Sequence, residues 1–188
     1  LALKLFSHAL ELDPNDFYTL RYLGAIYLDH RRNLVLSLKY YKRALEFKPT
    51  NVKCLNRIAT ILRSQSDPSQ AILYYRRALQ RNPVHMDSLL HGGITAATLG
   101  NHDEAISHFQ RGLAHQPKHS EFLFYLGSSL HLVKQHHQAI AALEASVAIN
   151  PIAPAFVLLA QAQWDLGFQD CAVHSMTHAL DLEPANTG

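Results

Sequence analysis

The stretch PVHMDSLLHGGITAATLGNHDEAISHFQRGLAHQP, residues 83–117, opens and closes on a proline and holds one copy of the unit from which the chain is built. Outward from it, Pro14, Pro49, Pro83, Pro117, Pro151 and Pro184 stand 35, 34, 34, 34 and 33 residues apart. Side chains keep step with them. Twelve residues before each proline stands Ala2, Ser37, Ala71, Ala105, Ala139 or Ala172; eight before, Phe6, Tyr41, Tyr75, Phe109, Leu143 or Met176; five before, Ala9, Ala44, Ala78, Gly112, Ser146 or Ala179. Small, large and small at spacings of four and three is one face of an α-helix. The proline then stops that helix, because it has no N–H and pushes the residue before it out of helical geometry. A period in this range marks stacked helix pairs, each packing only on its neighbours.

The upstream half of each interval carries a second pattern. It reads Leu20-x-x-Leu23-Gly24-x-x-Tyr27, Leu55-x-x-Ile58-Ala59-x-x-Leu62 and Leu123-x-x-Leu126-Gly127-x-x-Leu130, with weaker copies at Leu89-x-x-Gly92-Gly93 and Phe156-x-x-Leu159-Ala160. This resembles the tetratricopeptide repeat family, whose signature is W-x-x-L-G-x-x-Y, then A-x-x-x-F, then P. The resemblance covers nearly the whole chain. It implies an all-α, right-handed superhelical solenoid of antiparallel helix pairs with about five and a half repeats. A single array is expected over 1–188: a half repeat at 1–16 holding only a second helix, then 17–51, 52–85, 86–119, 120–152 and 153–188. Helix pairs are expected at 17–30 with 34–48, 51–64 with 68–81, 85–99 with 102–115, 119–133 with 136–149, and 153–166 with 169–182. The chain starts without Met and on a second helix, and the expectation is a fragment of a longer array or of a larger protein.

Local chemistry agrees with those boundaries. Asp67-Pro68 offers an N-cap acceptor followed by a proline at the first helical position. Asn101 with Glu104 reads as a reciprocal capping pair. Gly100 and Gly167 fall where a first helix must stop and turn. Gly24, Ala59, Gly93, Gly127 and Ala160 mark the closest approach of paired helices. Gly92 breaks the pattern, since Leu or Ile holds that position in the other copies.

The 188 residues have a net charge of +2, but it is divided: residues 1–94 carry fourteen Lys and Arg against seven Asp and Glu, and residues 95–188 three against eight. Such asymmetry concerns partners and steering, not fold. No run of 18 apolar residues exists, so no membrane span is expected. Cys54 and Cys171 are too far apart in a stack to pair; two isolated thiols fit a reducing compartment or an indifferent one, and a cytoplasmic or other intracellular location is the expectation.

The resemblance further implies that the first helix of each pair lines a concave groove and that the function is non-catalytic protein binding. The residues expected to face the groove are Tyr18 and Arg21; Lys53, Asn56, Thr60 and Arg63; Asp87, Leu90 and Ile94; Glu121, Phe124, Ser128 and His131; and Trp164. The early members suit carboxylates, the later ones apolar side chains. A protein or peptide partner with acidic and apolar residues would match. The family's carboxylate clamp is not expected, since Ala25 stands where Asn is needed one turn after Arg21. Its asparagine ladder is missing too, with Tyr22, Arg57, His91, Tyr125 and Leu158 at the matching positions. Two other readings stay open: a recognition segment of a larger enzyme, and a structural subunit that self-associates through its terminal repeats.

No catalytic residues, cofactor or metal site are expected. G-x-S-x-G, H-E-x-x-H and the phosphate loop do not occur. The basic residues Arg31, Arg32, Arg76, Arg77 and Arg81 do not form a nucleic-acid surface on this reading, and the pI of about 8.6 is below the value typical of such domains. Thirteen histidines occur. His115 with His119 and His174 with His178 have metal-gripping spacing, but no Cys or carboxylate completes a set along the sequence. His136-His137 reads as part of a turn.

Overall fold

The computed structural model describes residues 2–30 and 32–183; Arg31, Pro184 and Gly188 lie outside them. Within that span are eleven α-helices and no strand: α1 Ala2–Leu12, α2 Phe17–Asp29, α3 Leu34–Phe47, α4 Val52–Ser64, α5 Pro68–Arg81, α6 Met86–Thr98, α7 His102–His115, α8 Ser120–Leu132, α9 His136–Ile149, α10 Ala153–Asp165 and α11 Gln169–Leu182. The bounds follow the spacing-based expectation to within two residues.

The proline rule has a direct structural form. The residues before Pro14, Pro49, Pro83, Pro117 and Pro151 each donate a last helical N–H, to the carbonyls of Ala9, Ala44, Ala78, Gly112 and Ser146 respectively. These acceptors are the small residues five before each proline. The pre-proline residues that carry the cap, such as Lys48 (φ −131°) and Asn82 (φ −133°), are already extended, as the following ring requires. At the opposite turn of each repeat the chain passes through the left-handed region at Arg32 (φ 50°), Ser66 (61°), Gly100 (79°), Lys134 (62°) and Gly167 (80°). A methyl at Gly100 or Gly167 would touch nothing, so the cost of substitution there is one of backbone only. Gly100→Ala and Gly167→Ala are each expected to lower unfolding free energy by about 1 kcal/mol. Urea denaturation checks this.

Caps are built where the residue type allows. Asp16 accepts from the N–H groups of Tyr18 (3.3 Å) and Thr19 (2.7 Å), Asn33 from Leu36, Asn51 from Cys54, and Asp67 from Gln70 with Pro68 at the helix start. The expected capping pair at Asn101 does not form. Asn101 occupies the N-cap position without a side-chain bond, and Glu104 lies 3.7 Å from His108 Nε2, one turn onward. The expected turn at His136-His137 is also corrected: these residues open α9.

The chain divides into two compact units, Leu1–Thr95 and Ala96–Gly188. The break coincides with the change in sign of the charge. In the first unit α1 packs on α2, α2 on α3, α3 on α4 and α4 on α5. Its core joins Leu20, Tyr41, Leu55, Ile58 and Tyr75. In the small slots of the seam Ala44, Ala71 and Ala78 are fully buried, and Ser37 Oγ donates to Gly24 O at 2.8 Å. In the second unit α7 packs on α8, α8 on α9, α9 on α10 and α10 on α11, and the first helices α8 and α10 also touch. Here the helices approach so closely that a methyl on Gly127 would stand 2.6 Å from Leu143 Cγ, and one on Gly112 2.4 Å from Phe122 Cε1.

Cys54 is fully buried and Cys171 exposed. Burial pushes the Cys54 thiol up to about 11, so near pH 8 it holds its proton and is shielded as well. The native chain is expected to label rapidly at one thiol with iodoacetamide, and at two only in denaturant. Peptide mapping that found Cys54 modified in the folded state would contradict this packing.

Candidate functional site

In the first unit the first helices α2 and α4 and the start of α6 present side chains to one hollow of about 280 Å³. Arg21 and Ala25 come from α2, Lys53, Asn56 and Arg57 from α4, and Asp87 from α6; Tyr41 and His85 close the wall. Three cations therefore meet one carboxylate. Arg21 is held with its guanidinium 4.5 Å from the centre of the Tyr22 ring. Tyr22 is itself stacked on Phe6 at 5.3 Å. Stacking of this kind fixes a planar cation without neutralising it, leaving its N–H fork for a carboxylate.

A buried polar chain braces the floor. Asn56, 6% exposed, donates from Nδ2 to Ser88 Oγ at 3.0 Å. Ser88 in turn approaches His85 Nδ1 at 2.9 Å, and its own N–H donates to the same nitrogen at 3.2 Å. A nitrogen that accepts from a backbone N–H carries no proton, so the neutral His85 ring has its N–H on Nε2. The network ties α4 to α6 and sets the spacing of the cations above it.

Not every residue read as groove-facing lines this hollow. Thr60 donates to the Asn56 carbonyl at 3.0 Å and lies 3.2 Å from the buried Tyr75 hydroxyl, inside the helix pair. Arg63, half-buried, stands beside that same hydroxyl. Leu90 is buried at 9% exposure and Ile94 is half-buried, so both pack. Tyr18 is exposed at the head of α2, where Lys48 Nζ sits 4.4 Å from its ring centre.

In the second unit the expected residues separate into two places. Glu121 and Phe124 border a small hollow of about 100 Å³ with Tyr125, Ser146 and Ile152. His131 and Trp164 border a larger one of about 480 Å³, whose remaining wall is Ala160, Gln161, Asp165 and, from α11, Ala172, Val173 and Met176. Ser128 is half-buried and lines neither. The larger hollow is apolar, with Trp164 at 59% exposure on its rim. Reasoning from first helices alone misses Tyr41, Val173 and Met176, which come from second helices. The signal was present for Met176: it holds the large position of the repeat seam, yet is 38% exposed.

These features define a class: helix-pair repeat proteins in which successive first helices bring their side chains to common hollows. The tetratricopeptide repeat profile matches residues 56–113 and 90–154. The chain belongs to the tetratricopeptide repeat family. Similar solved structures show the same fold at low identity. YrrB, described as a tetratricopeptide repeat protein with an unusual peptide-binding site, is 18% identical at a TM-score of 0.87, covering 96% of this chain and 93% of its own. MamA from Desulfovibrio magneticus RS-1 is 17% identical at 0.83, with 92% and 97% covered. PilW, a type IV pilus biogenesis factor, is 20% identical at 0.77, with 99% and 86% covered. No curated protein matches the sequence. The family supports a protein-interaction role. No described helix is long and apolar enough to cross a membrane.

Proposed function

We propose that this chain is a non-catalytic scaffold that captures partner protein segments on the first helices of its repeats, at two chemically different places. The first unit receives carboxylates in the hollow of Arg21, Lys53 and Arg57. The second receives a large apolar side chain against Trp164, Val173 and Met176. The observation that carries the reading is the convergence of three cations from α2 and α4, with Asp87 as the acidic residue in the lining, over a floor already braced by Asn56, Ser88 and His85. Convergent cations on a rigid scaffold recognise carboxylates through charge-assisted hydrogen bonds. They also raise the encounter rate of acidic segments, since residues 1–94 carry seven more positive than negative side chains. The peptide-binding site of the structural relative YrrB agrees with use of this fold for segment capture.

Selection from a random peptide library tests the proposal. Enrichment of sequences with clustered Asp or Glu, bound more weakly as salt rises, is the expected result. Selection of basic or uncharged sequences whose binding ignores salt would remove the basis for it.

A further inference from the structure

We propose that His131, His136 and Asp165 form a binding site for a divalent transition metal of the zinc type. His131 lies in the last turn of α8, His136 opens α9 and Asp165 ends α10. The three donor atoms converge: His131 Nδ1 and His136 Nδ1 are 3.3 Å apart, and each is 3.7 Å from Asp165 Oδ2. An ion at the centre of such a triangle stands about 2.1 Å from all three atoms, which is the length of zinc–imidazole and zinc–carboxylate bonds.

A proton satisfies this geometry less well than a cation does. One proton can bridge the two imidazole nitrogens, but both distances to the carboxylate oxygen are too long for a hydrogen bond. A cation at the centre satisfies all three edges together. The positions are also set by backbone. The turn joining α8 to α9 is pinned by Lys134 N–H on His131 O at 2.9 Å and Gln135 N–H on Leu130 O at 2.9 Å. This fixes the backbone positions from which the two rings project. His131 lies near the end of α8 and Asp165 at the end of α10, and these successive first helices touch. A metal here would bind one repeat to the next.

The donor set selects the ion. Two imidazoles and one carboxylate, without a thiolate, suit Zn²⁺, Co²⁺, Ni²⁺ or Cu²⁺; Ca²⁺ and Mg²⁺ need more oxygen ligands. The imidazole side chains are 16% and 17% exposed and the carboxylate 45%. The site is therefore reachable from the apolar hollow that His131 and Asp165 border, and three protein ligands leave a fourth position for water. The excess of acidic residues in the second half of the chain draws cations toward it. By contrast, His174 and His178 approach at 3.1 Å between Nε2 atoms but are exposed and have no third ligand among the described residues.

The test removes that second pair first. In a His174→Gln, His178→Gln background, Zn²⁺ is titrated in competition with a chromophoric chelator, and Co²⁺ is titrated while visible absorbance is read. One saturable equivalent with the intense bands of four-coordinate Co²⁺ is expected. His131→Ala with His136→Ala should abolish the bands and weaken Zn²⁺ at least about a hundredfold, and Asp165→Asn, on an exposed helix end, at least about tenfold. Circular dichroism of the metal-free variants is expected to match the parent. An unchanged equivalent in the His131→Ala, His136→Ala variant, unchanged affinity in Asp165→Asn, or no saturable equivalent in the parent background overturns the proposal.

Discussion

Ala105→Arg is expected to cost the second unit about 4 kcal/mol or more, enough to unfold it under mild conditions. Ala105 lies twelve residues before Pro117, in a slot occupied by Ala or Ser throughout the array. It is fully buried, as are Ala71 and Ala139 in the same register. Neighbouring Gly112 leaves no room even for a methyl against Phe122, so the seam cannot open locally to admit a guanidinium. The loss combines overpacking with a buried, unpaired charge, and a domain of this size has a total stability of about 5–15 kcal/mol. Ala105→Ser is the control. Ser37 fills the equivalent slot and donates to a backbone carbonyl, so serine should cost under about 1 kcal/mol. Urea titration followed by circular dichroism distinguishes these outcomes. An arginine variant as stable as the serine one would mean that the seam is not where the period puts it.

The second large effect is on binding. Arg21→Glu with Lys53→Glu is expected to weaken an acidic peptide ligand about a hundredfold, roughly 2.7 kcal/mol. The fold should be retained, since Lys53 is exposed and Arg21 half-buried on a helix surface. The double change turns two of three cations in the hollow into carboxylates beside Asp87. Attraction becomes repulsion, and the salt dependence of binding should reverse sign. Arg63 is the poorer choice for this experiment despite its sequence position, because its guanidinium stands against Tyr75 in the pair interior. Anisotropy of a labelled peptide at two ionic strengths reads both effects.

The fold was legible because its signals repeat. Proline at 34-residue spacing, small residues in the seam and glycine at Gly100 and Gly167 each point to a local requirement of backbone or space. Six copies in phase leave little room for another arrangement. The site was legible only in part. Periodicity identifies a helix face but not the angle at which neighbours cross it. Arg21, Lys53 and Asp87 came out on a shared hollow, whereas Thr60, Leu90 and Ile94, one or two turns along the same helices, turned inward. Asn101 illustrates a different limit: its partner Glu104 has a competing contact in His108, which no capping pattern includes. The His131, His136 and Asp165 cluster escaped a search of neighbouring residues because its third member is one full repeat away. Reading down the register pairs His131 with Trp164 and leaves Asp165, the next residue, beside it.

The claim on which the functional reading rests is that partners meet the first helices. Amide chemical-shift mapping with an acidic peptide from the library tests it most directly. The account predicts that the largest shifts fall on Arg21, Lys53, Arg57 and Asp87, with little change in α3 and α5 away from Tyr41. Shifts concentrated on the exposed faces of α3 and α5, with those four amides unmoved, would contradict it.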